Sequence, residues 1–81
     1  MSERHEMFGQ RAELTGERLR LTVECEAMRD ALRRLLPTHE EVHSLNKDKI
    51  ATTAVALQKS LGELQGVQRK IDILSQNLGE K

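Results

Sequence analysis

Arg33-Arg34-Leu35-Leu36-Pro37-Thr38-His39-Glu40-Glu41, residues 33–41, decides the fold of this chain. Arg33 and Arg34 suit the last turn of a helix, where cations meet the negative end of its dipole. Pro37 pushes Leu36 out of helical conformation. Thr38 and Glu41 then have the spacing of a capping box: the Thr38 hydroxyl can accept from the Glu41 amide, and the Glu41 carboxylate can reach back to the Thr38 amide. Glu40 and Glu41 also suit the positive end of a new helix. One helix is therefore expected to end here and another to begin within about two residues. Between Val42 and Lys49 the periodicity weakens, and Ser44, Asn46 and Asp48 offer a second start. A short helical turn followed by a main helix from about Asn46 is the alternative.

On either side of this break runs a ladder of apolar residues stepping by seven. Met7, Leu14, Leu21, Met28 and Leu35 form the first, and Ile50, Leu57, Leu64, Ile71 and Leu78 the second. A seven-residue repeat keeps one stripe of a helix turned towards a neighbouring helix. The second core position of the first ladder falls on Arg4, Arg11, Arg18, Cys25 and Leu32. The stretch from Leu21 to Leu36 therefore reads as well packed. Before it, arginine stems can lie along the seam with their heads in water, for a looser grip. The second ladder is flanked by Ala54 and Leu61 on one side and by Val67 and Leu74 on the other. That arc is wider than a two-stranded seam needs and suits a bundle of three or four helices.

The expected fold is all-α and a single domain over 1–81: an antiparallel two-helix hairpin of coiled-coil type. Helix 1 is placed at about 10–36, the turn at 37–38 and helix 2 at about 39–78, with 1–9 and 79–81 fraying. A homodimer or a foreign helix would complete the bundle. The rival is one continuous helix, kinked at Pro37, within a long parallel coiled coil. The small residues from Ala51 to Ala56 allow another helix to approach closely, and Gly9, Gly16 and Gly66 fall opposite the ladders with Gly62 nearby.

Composition narrows the function classes. Lys and Arg number 13, as do Asp and Glu, so the formal net charge is zero, which argues against a polyanion-binding surface over the whole molecule. Charged residues make up 32% of the chain and Phe8 is its one aromatic, which favours helices over a β-sandwich or barrel. No apolar run is long enough to span a bilayer. The N-terminal Met1-Ser2-Glu3-Arg4-His5-Glu6 does not read as a secretory signal. A lone Cys25 cannot form an internal disulfide, and a reducing, cytoplasmic setting is expected. The chain is also open to reading as a coiled-coil segment of a larger protein, although Met1 reads as a natural start.

Two patterns point to other chemistry. His39-Glu40-Glu41-Val42-His43 resembles the H-E-x-x-H motif of zinc peptidases, in which two histidines one turn apart hold zinc and the glutamate acts as general base. It sits at an expected helix start with Glu41 already assigned to a cap, and His5 and Glu63, the possible third ligands, would lie far from the turn. Arg29, Arg33, Arg34, Lys47 and Lys49 gather near the turn, while Arg4, Arg11, Arg18 and Arg20 line the first helix. A small antiparallel hairpin that dimerises into a four-helix bundle resembles, in architecture alone, the Rop family of RNA-binding plasmid regulators. That resemblance implies an RNA partner for these cations, but Glu24, Glu26 and Asp30 interleave with them. Cys25, on the seam, reads as a small buried apolar residue.

The function expected is a non-enzymatic protein–protein interaction module: a small adaptor, assembly subunit or co-chaperone acting through its apolar seam. No cofactor, metal or catalytic residue is assigned. The partner is a second copy or another helical protein, with nucleic acid the alternative, metallohydrolysis a remote one, and no membrane insertion. The residues expected to carry the contact are Leu21, Met28, Leu32 and Leu35 on the first helix, with Leu57, Leu61, Leu64, Ile71, Leu74 and Leu78 on the second.

Overall fold

Both ladders become long helices. The computed structural model describes residues 3–79, and α1 spans Glu3–Leu35 while α2 spans Lys47–Asn77. Among the described residues there is no strand. The helices pack side by side in a rod of 62 × 20 × 14 Å. They run antiparallel: at the open end the Arg4 guanidinium donates to the Leu78 carbonyl at 3.1 Å, and further along Arg18 donates to Gln68 Oε1 at 3.0 Å. The chain is a hairpin, not a continuous helix kinked at Pro37. In the register these two bonds set, the ladders run step for step, with Leu14 about level with Ile71 and Leu21 with Leu64.

The first helix ends as its sequence predicts. It stops at Leu35, two residues before Pro37, with Arg33 and Arg34 in its last turn. Its start differs. The helix begins by Glu3 and not near residue 10; Met1 and Ser2 lie outside the described residues. Three features explain the extension. Glu3 and Glu6 suit the first turn, Arg4 caps a terminal carbonyl of α2, and the Arg4 and Arg11 guanidinium carbons lie 5.6 and 5.2 Å from the Phe8 ring centroid.

The second helix also departs from the main expectation. It starts at Lys47, not at 39, and the link from 36 to 46 is longer than two residues, with a single 3₁₀ turn at Val42–Ser44. The capping box does not form: Glu41 precedes the 3₁₀ turn without a side-chain cap bond. The operative cap is Asn46, whose Oδ1 accepts from the Lys49 amide at 3.1 Å, the alternative start. The reason lies in the ladder. One step before Ile50 falls His43, which is exposed, so a helix through 39–46 would have no apolar stripe to bury and too few turns to stand alone. At the far end Gly79, at φ +78°, turns the chain left-handed, and its amide bonds the Gln76 carbonyl at 3.0 Å. Of the expected 79–81 fraying, Glu80 and Lys81 lie outside the described residues.

The core is thin and lies partly in an unexpected place. Leu21, Cys25, Val67, Ile71 and Leu78 are buried, with Leu14 and Leu64 packed against Leu21, Val67 and Ile71. On α1 the buried pair, Leu21 and Cys25, opens the stretch expected to pack well, but Met28, Leu32 and Leu35 beyond it are only half-buried. On α2 the buried residues lie further towards the open end, opposite the arginines. The second core position of α2 accounts for the difference. It reads Thr53, Ser60, Val67, Leu74, polar near the turn and apolar near the open end. The arginines do not weaken their half, because Arg4 and Arg18 bond across the seam.

Candidate interaction surface

The residues expected to bind a partner divide into three groups. Leu21, Ile71 and Leu78 are buried inside the hairpin's own seam. Met28, Leu32, Leu35, Leu57, Leu64 and Leu74 are half-buried, each turning one side to the seam and one to a flank. Leu61 is exposed at 37%, on the flank of α2 that the sequence marked as surplus.

Local helix geometry gathers several of these into grooves on opposite sides of the seam. On one face Leu57, Leu61 and Leu64 form an apolar floor with Cys25, walled by Thr22 and Arg29. The groove continues to the turn past Leu32, Leu36 and Pro37. Leu36 is 45% exposed although it is leucine, because Pro37 ends the helix beneath it. On the opposite face Leu14 and Leu74 floor a second groove, walled by Glu13, Glu17 and Lys70. The structure thus brings Leu57, Leu61 and Leu64 together, and sets Leu74 on the far side from them.

Sequence reasoning missed a second set of exposed apolar residues. Leu19 and Val23 on α1, and Val55 and Ile73 on α2, are more than half exposed; the first three point away from the seam, and Ile73 rims the second groove. Their spacing held the signal. Leu19 and Val23 are one turn apart, and Val55 and Ile73 about five whole turns apart, so each pair shares a face of its helix.

The two other chemistries find little geometry. His39 sits in a bend and His43 in the 3₁₀ turn, both exposed, so the pair is not one turn apart on an α-helix. His43 Nδ1 lies 3.4 Å from the Glu41 carboxylate, with both side chains about four-fifths exposed. Among the described residues no three His, Cys, Asp or Glu side chains converge on a point that could hold an ion. Three of the cations are held in local pairs: Arg20 with Glu24 at 2.9 Å, Arg29 with Asp30 at 3.2 Å and Lys47 with Asp48 at 3.3 Å. No described helix is long and apolar enough to cross a membrane. No protein-family model, curated protein or solved structure matches the chain.

Proposed function

We propose that the chain is a non-enzymatic protein–protein interaction module, a helical hairpin that completes its core against a second copy or another helical protein. The observation that carries this reading is the unfinished packing near the turn. There, along the groove from Cys25 to Pro37, Leu32 and Leu57 are half-buried while Leu36 and Leu61 are exposed. Apolar surface in one continuous groove is costly to leave in water, and a further helix laid on it would remove that cost. The burial of Cys25 fits the reducing, cytoplasmic setting in which a lone thiol stays intact. Roles as adaptor, assembly subunit or co-chaperone all follow from such a contact. An RNA-binding hairpin has less support, because the formal net charge is zero and the arginines along one face of α1 are interrupted by Glu26 and faced by Asp72 of α2.

The test is the molar mass of the pure chain by light scattering, alone and as Leu61→Glu. Leu61 is exposed enough for the hairpin itself to tolerate a carboxylate. The parent should weigh more than its 9.2 kDa chain mass, and the variant should return to that mass with its helicity intact. A variant that keeps the parent's assembled mass would remove the groove from consideration.

A further inference from the structure

The two faces of the hairpin carry opposite rows of charge. Arg11, Arg18 and Arg29 line the groove on one face, and Arg33 extends the row to the turn. Glu13 and Glu17 line the groove on the opposite face, and Glu6 and Glu24, one heptad before and after them, prolong that row. The second helix is sparsely charged there, with Asp72 on the arginine face and Lys70 on the glutamate face beside Glu63, one heptad before it. Glu26 interrupts the arginine row and Arg20, bound to Glu24, interrupts the other.

We propose that the arginine face of one hairpin takes the glutamate face of a second copy, so that hairpins stack face on face in open series. The proposal rests on the interaction reading above and names its occupant. A copy displaced straight along the normal to the hairpin plane brings α1 over α1 and α2 over α2. Arg11 then lies two residues, about 3 Å along the axis, from the second copy's Glu13, and Arg18 lies one residue from its Glu17. Asp72 comes beside the second copy's Lys70. Near the turn the exposed Leu36 meets Leu35, which lies three heptads beyond Leu14 and so on the glutamate face. A closed two-fold pair through the arginine faces matches less well. It sets the arginine rows against each other, or against an α2 flank where Asp72 is the one carboxylate lining the groove. Rim charges of this kind choose register and partner, while the apolar floors supply most of the affinity. Because the two contacting faces differ and a straight displacement never closes, the series has no fixed number of members.

Light scattering of the full chain over a wide concentration range reads this directly. The mean mass should climb past twice 9.2 kDa without a plateau and fall when salt is raised, since rim charges are screened. Glu13→Arg with Glu17→Arg makes both faces basic, and Arg11→Glu with Arg18→Glu makes both acidic. Each double variant alone should stay near the single-chain mass, and an equimolar mixture should recover the parent's climb. Glu13 and Glu17 are exposed, so the first variant keeps its helicity by circular dichroism and remains readable should the second lose its fold. A plateau at twice the chain mass overturns the stack yet leaves the interaction reading standing. So does a basic double variant that assembles as the parent does. A parent that stays at 9.2 kDa throughout overturns the stack and confines the interaction reading to a foreign helix.

Discussion

Among the described residues Leu21 is the one side chain sealed completely from solvent, and it sits where both ladders meet. Truncating it removes the transfer energy of its methyl groups and leaves a cavity beside Val67 and Ile71. Leu21→Ala should cost about 3 kcal/mol, read as a shift of the urea midpoint with unchanged slope. A matched pair of cap variants probes the start of α2. Asn46→Ala should cost about 1 kcal/mol because the Lys49 amide loses its acceptor, whereas Thr38→Ala should leave the midpoint within about 0.5 kcal/mol, as for an ordinary surface site. Both residues have good cap chemistry, so local pattern alone could not choose between them. The choice was present in the sequence one level up: the apolar ladder has no rung at His43, and a cap needs a stripe behind it to be worth forming.

At the scale of the elements, the two helices and the break at Pro37 followed from the seven-residue spacing, because periodicity depends on the chain's own geometry. Where the core lies followed only in part, for Leu21 and Cys25 and not for the turn-end rungs, because it depends on which residues meet across the seam. Read alone, Arg4, Arg11 and Arg18 looked like weak rungs. Paired with α2, Arg4 and Arg18 bond to Leu78 and Gln68, and the weak rungs are Thr53 and Ser60 near the turn. The same comparison explains why Leu61 stays open: across its groove α1 offers Thr22, Cys25 and Arg29, too little apolar surface to cover it. The glycines of α2 are a separate matter. An added methyl at Gly62 or Gly66 would meet nothing within 4 Å, so neither glycine is required by a close approach inside the hairpin. Gly62→Ala and Gly66→Ala should each stabilise α2 by up to about 1 kcal/mol. For a domain of this size that is about 4–8 °C in the thermal midpoint, followed by circular dichroism. A fall in the midpoint would mean that the outer face of α2 is itself covered in solution.

The whole molecule is a rod whose stability is unevenly shared. Its buried residues lie from the middle to the open end, while the turn end holds apolar surface that one chain cannot cover. Fraying of a lone hairpin should therefore begin at the turn, even though the turn is where the chain is covalently closed. Anything that binds the folded hairpin adds stability by mass action, so an assembling chain melts at a temperature that rises with its concentration. The expected result is a thermal midpoint that climbs over a hundredfold range of protein concentration. Leu36→Asp separates the two contributions. Leu36 lies outside both helices and is 45% exposed, so the variant should melt with the parent at the lowest concentration. If the turn end forms the contact, its midpoint should then fall progressively behind the parent's as concentration rises. Parallel curves for the two proteins would place the contact elsewhere on the rod, with Leu19, Val23, Val55 and Ile73 the next surface to alter.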